Sequence, residues 1–106
     1  QDDAKPIWVT EFGWNTSARE CDPSGGFWQG GVGESEQARY LERAYELLAR
    51  DPYVKNAIWY SLRDPYWLDG VADDPEARTG LLTVDYEPRP AYWAFKAIAT
   101  NGSKAP

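Results

Sequence analysis

Two runs rich in β-branched and aromatic residues, "IWVTE" at 7–11 and "VKNAIWYSL" at 54–62, are each followed by a long loop and then by a helical pattern. No other feature restricts the fold as much. β-Branched and aromatic side chains suit a pleated, packed surface, so both runs are expected as strands. Few charges interrupt the second run, which is therefore expected to be buried on both faces. Between them Ser35 is the expected N-cap of a helix, with Glu34 and Glu36 at its positive end. Ala38, Leu41, Ala44, Tyr45 and Leu48 share one face of it, and Pro52 stops it after Arg50. A second helix is expected over 90–100, opened by Pro90 and ended by Asn101 and Gly102. Strands alternating with helices imply a parallel sheet with crossover connections. The expected fold class is thus α/β, in the order strand, loop, helix, strand, loop, helix.

Both long loops, 13–33 and 63–79, follow strands, whereas the helix-to-strand turn "RDPY" is short. Sites in such folds gather at the carboxyl ends of the strands. Glu11 occupies one of these ends, and the stretch from Trp59 to Asp64 the other. Unbroken alternation puts Ile7, Val9 and Glu11 on one face of the first strand, with Trp8 and Thr10 on the other. The same rule aims Ala57, Trp59 and Ser61 inward and sets Trp59 beside Glu11.

The chemistry open to the chain is narrow. It has no His, which removes Ser-His and Cys-His nucleophile systems and the usual zinc sites. Acid–base work must rest on carboxylates, Tyr, Lys or Cys21, and Cys21 has no second cysteine to pair with. Seventeen acids against eleven bases, a net charge of −6, argue against a nucleic-acid partner. No apolar run reaches membrane-spanning length, and the opening "QDDAK" is not a signal peptide. Asp73, Asp74 and Glu76 match no calcium-loop spacing, so neither metal nor cofactor is expected. Six Trp and seven Tyr, by contrast, suit a surface that binds something flat and partly polar.

Three segments in this order, "KPIWVTEFGWNTS", "SEQARYLERAYELLARDPYVKNAIWYSLRD" and "GLLTVDYEPRPAYWAFKAIA", resemble the C-terminal end of a clan A glycoside hydrolase. The similarity is to the seventh and eighth βα units of a (β/α)8 TIM barrel, closest to families 39 and 5. It implies that residues 1–106 are the C-terminal part of a catalytic barrel hydrolysing O-glycosyl bonds in β-linked oligo- or polysaccharides. By that resemblance Glu11 matches the nucleophile of a retaining mechanism, and Trp59 the indole under the attacked sugar, with a cis peptide at Trp59–Tyr60. Trp14, Phe27, Trp28 and Trp67, in or beside the long loops, and Asn15 near a strand end are further candidate sugar contacts. Trp8 and Trp93 are expected in the helix-packing layer, and Arg63 and Asp64 to pair with each other.

The pattern is also incomplete. Retaining hydrolysis uses two carboxylates about 5 Å apart. The family's acid–base Glu follows an Asn, and no Asn-Glu pair occurs here. A barrel needs about 250 residues and eight βα units, so N-terminal barrel segments are expected as the missing partner, alongside a carbohydrate substrate. Export is expected because polysaccharides are too large to enter cells. The chain alone is expected to be inactive and partly molten. The alternative is a non-catalytic carbohydrate-binding or scaffold remnant of a barrel.

Overall fold

The computed structural model describes residues 5–16, 31–71 and 74–101. Strand β1 (Ile7–Phe12) leads through the first loop to helix α1 (Glu34–Arg50). Strand β2 (Val54–Trp59) follows, then a single 3-10 turn at Tyr66–Leu68 and helix α2 (Pro90–Asn101). β1 and β2 pair in parallel, with α1 as their crossover. The chain therefore has the α/β order that its two periodicities imply.

Element ends differ where a local partner competes. Gly33, not Ser35, caps α1: the Glu36 carboxylate accepts the Gly33 N–H at 3.2 Å, and the Gly33 carbonyl accepts the Gln37 N–H at 2.8 Å. Ser35 falls inside the first turn. β2 ends at Trp59 because the backbone then changes partner. Tyr60 N–H still donates to the Phe12 carbonyl (2.8 Å), but Ser61 N–H donates to Thr79 O (3.1 Å) and Leu81 N–H to Ser61 O (3.0 Å). A cis peptide lies at Tyr60–Ser61, one residue beyond the expected bond.

The core sits between the sheet and the helices. Leu41 of α1 and Ala91 of α2 are fully buried, joined by Ala38, Trp59 and Leu81. Phe12, Tyr45 and Phe95 extend it as a chain of edge-on rings, 5.2 Å and 5.8 Å between centroids. Burial pushes the Tyr45 phenol up, partly offset by a hydrogen bond from the Trp59 backbone, while its hydroxyl donates to the Ala57 carbonyl at 3.1 Å.

The facing of the strands reverses the expectation. Val9 pairs with Ala57 and Phe12 with Trp59, on the side that α1 covers. Trp8 and Ile58 lie on the other side, 61% and 47% exposed. Trp8 is therefore no part of the helix layer, and β2 is covered on one face only. Trp93 is also exposed, on the outside of α2 beside Tyr92 and Lys96.

Beyond β2 the loop is tied down by charge. Asp64 does not pair with Arg63. It takes both arms of Arg89, Oδ1 from Nη1 at 2.8 Å and Oδ2 from Nη2 at 2.7 Å, with both residues 5% exposed. Arg89 Nε also donates to Glu34 at 2.9 Å, joining the start of α1 to the start of α2. Burial by itself pulls the Arg89 guanidinium down, but the hydrogen bonds and charges of Asp64 and Glu34 together lift it above its ordinary value. Arg63 instead donates to the Val84 carbonyl at 2.9 Å and lies over the Tyr86 ring. A planar fork matches a carboxylate twice over, and α2 brings Arg89 to Asp64 where chain neighbours cannot align so well.

Candidate active site

Glu11 is exposed at the carboxyl end of β1, and its position there depends on a slip in register. From Val9 to Phe12 β1 advances three residues while β2 advances two, from Ala57 to Trp59. Side chains alternate with a period of two, so one extra residue reverses every facing beyond it. The slip turns Phe12 to the helix side with Trp59 and leaves Glu11 at the open side with Tyr60. Together with Phe12, Gly13, Asn15, Pro75 and Thr79, these two line a hollow of about 380 Å³.

Each wall has a local cause. Tyr60 is locked to β1 by its bond to the Phe12 carbonyl. Gly13 leaves room for the Tyr60 carbonyl, which a Cβ at that position would strike. The Trp14–Thr16 backbone is held on three sides. Gln37, fully buried in α1, donates to Trp14 O at 2.9 Å; Val32 N–H donates to Asn15 O at 3.0 Å; Thr16 N–H donates to Arg78 O at 2.8 Å. Thr79, on the far wall, shares a 2.9 Å hydroxyl contact with Ser61.

Among the described residues lining the hollow, Glu11 is the one carboxylate. The site thus offers a solvent-reached anion, an aromatic neighbour and the polar side chains of Asn15 and Thr79. These suit a nucleophile beside a polyhydroxylated ring, with any second carboxylate coming from elsewhere.

Of the residues expected here from sequence, Glu11 and Asn15 meet at the hollow. Trp59 does not: its indole is 7% exposed, edge-on to Phe12 at 5.6 Å and packed within the cluster of Leu41 and Ala91. The expected Glu11–Trp59 adjacency is corrected to Glu11–Tyr60. Trp14 is half-buried against Tyr40 and Trp59, with centroids 5.4 Å and 6.1 Å away. Trp67 is 68% exposed beside Tyr66 and lines no part of the hollow. Phe27, Trp28, Cys21 and Asp73 lie outside the described residues. Tyr60 and Thr79 were missed. Tyr60 could have been found from Ile58, with which it shares parity along β2; nothing local marks Thr79.

Comparison with solved structures agrees with this architecture. The chain is similar to a family 39 glycoside hydrolase from the gut symbiont Bacteroides cellulosilyticus, with 30% identity and a TM-score of 0.68 over 90% of this chain. It is also similar to a β-glucuronidase from Ruminococcus gnavus, solved with uronic isofagomine, at 25% identity and a TM-score of 0.63 over 88% of this chain. The two alignments cover 16% and 15% of those proteins, so the chain spans about one-sixth of their length. No family model and no curated sequence matches the chain. Its structure is that of an α/β portion of a glycoside hydrolase barrel, and the resemblance carried by the three sequence segments extends to the backbone.

Proposed function

We propose that the protein to which this chain contributes is a retaining glycosidase acting on β-linked oligo- or polysaccharide, and that Glu11 is its nucleophile. The observation that carries this is the position of Glu11, exposed at the end of β1 and opening onto a hollow shared with Tyr60, Asn15 and Thr79. There its carboxylate is free to attack an anomeric carbon as the leaving group departs. The resulting glycosyl ester is then hydrolysed by water. Tyr60 offers the ring face that the sequence assigned to Trp59. The acid–base carboxylate comes from the N-terminal barrel segments, which are this chain's structural partner. Substrates too large to enter cells place the protein outside them.

The test is Glu11→Gln in the complete protein, an isosteric change that removes the attacking anion. Turnover of a β-glycoside should fall by several orders of magnitude. Full activity in that variant would remove Glu11 from the role.

A further inference from the structure

The hollow is held from behind by a polar relay that starts well away from it. Asp64 Oδ1 accepts the Gly80 N–H at 2.8 Å, and the Gly80 carbonyl accepts Arg89 Nη1 at 2.7 Å. The buried Asp64–Arg89 pair thus grips both backbone polar groups of Gly80. No other residue fits that place, since a Cβ there would stand 2.5 Å from the Asp64 nitrogen and from the Leu82 oxygen. Thr79 precedes it, 9% exposed, with its hydroxyl 2.9 Å from Ser61 Oγ and its carbonyl accepting Ser61 N–H at 3.1 Å. Ser61 in turn follows Tyr60, and both Thr79 and Tyr60 line the hollow with Glu11.

We propose that Asp64 and Arg89 are positioning residues for the reaction at Glu11, acting through Gly80, Thr79 and Ser61 to fix the Tyr60 wall of the hollow. Neither touches the hollow itself. The chemistry suits the task. A bidentate guanidinium–carboxylate pair has one preferred geometry, whereas a loop held by backbone contacts alone has several. Fixing the loop at Gly80 leaves the preceding residue, Thr79, little freedom to move. Small displacements of groups around a reacting centre cost rate steeply, on the order of a hundredfold for about 1 Å. This inference rests on the glycosidase reading.

The experiment is a double-mutant cycle in the complete protein, with kcat and KM for a β-glycoside normalised to the folded fraction by near-ultraviolet circular dichroism. Thr79→Val keeps shape and loses the hydroxyl; it should lower kcat/KM about tenfold with little change in Tm, and Thr79→Ser should restore most of the loss. Asp64→Asn should lower kcat by a similar factor or more, and the double variant should lose scarcely more than Asp64→Asn alone, because both act along one path. Strictly multiplicative losses would overturn the inference, as would a lowered Tm with kcat per folded molecule unchanged. Should Asp64→Asn not fold, Arg89→Lys, which keeps the charge but loses the two-armed grip, takes its place in the cycle with Thr79→Val, and the same coupling is read. Glu11→Gln, run in parallel, separates the two claims. If it is inactive while Thr79→Val matches wild type, the relay is wrong and the nucleophile stands. If Glu11→Gln is fully active, the glycosidase reading falls and this inference with it.

Discussion

Phe12 and Trp59 stand opposite each other across the two parallel strands, their rings 5.6 Å apart and nearly perpendicular. Both face α1, so the residues next to them, Glu11 and Tyr60, meet on the other side. The pair therefore sets the facing of the site without taking part in it. Edge-to-face rings contribute about 0.5–1.5 kcal/mol beyond the area they bury, and here they also fix which neighbour reaches the hollow.

A contrast between adjacent residues follows from that geometry. Trp59→Ala in the complete protein should cost about 3–5 kcal/mol of stability, the usual range for emptying a buried aromatic site. Trp59→Phe should cost less, and its folded molecules should turn over substrate nearly as wild type. Tyr60→Ala should do the reverse: it removes a half-exposed ring from the hollow wall, so kcat/KM should fall with a small change in denaturation midpoint. Equilibrium urea unfolding together with steady-state kinetics on the three variants checks it. A Trp59→Phe protein that is fully stable but cannot bind sugar would restore the indole to the site.

Gly13→Ala should damage both stability and activity. The added methyl meets the Tyr60 carbonyl, a backbone atom whose residue is already tied to Phe12, so neither side yields cheaply. Overpacking of this kind costs about 1–3 kcal/mol. Any relief moves Tyr60 relative to Glu11, so kcat should drop even at temperatures where the variant is fully folded. A thermal melt and a kcat measurement on the same preparation test the two parts separately.

Some of this was readable in the sequence and some could not be. The order of strands and helices followed from the period-two and period-3.6 patterns. The site end followed from where the long loops fall. The place of Glu11 at the carboxyl end of β1 follows from both. The facing was misread because alternation was continued through Val9 to Glu11, and a single-residue slip leaves no mark in composition or period. Trp59 keeps the parity expected of it with Ala57, but that side of β2 is the one the helices cover, so its indole enters the core. The Asp64–Arg89 pair spans 25 residues and forms only once α2 docks, so the nearer Arg63 looked the better partner. Ser35 has the better capping side chain, but Glu36 could serve Gly33 from inside the first turn.

Tyr45 gives the fold a pH limit on the alkaline side. Its phenol is pushed up in the folded protein, chiefly by burial, while in the unfolded chain it titrates near 10. Above that value the unfolded state gives up a proton that the folded state keeps, so the folded state loses ground as pH rises. Stability from this group is intact below about pH 10 and declines above it. Tyr45→Phe should cost about 1 kcal/mol at neutral pH, because the Ala57 carbonyl loses its donor. It should also flatten the fall between pH 9 and 11. Urea midpoints of both proteins across that range measure it; parallel curves would show that Tyr45 titrates alike folded and unfolded.

The open side of the sheet carries the last prediction. Trp8 and Ile58 are both largely exposed in this chain, on the face that the helices do not cover. In a barrel that face points inward and is packed by the other strands. Trp8→Lys and Ile58→Lys should then act in opposite directions in two settings. In the 106-residue chain alone they should raise the recovery of monomer, because charge on an open sheet opposes association. In the complete protein they should destabilise by several kcal/mol, since an unpaired ammonium would be driven into a packed interior. Size-exclusion chromatography of the short chain and urea unfolding of the full one read the two effects. Solvent-exposed positions in the whole protein would tolerate the same changes within about 0.5 kcal/mol, and that result would mean this face is not turned into a barrel.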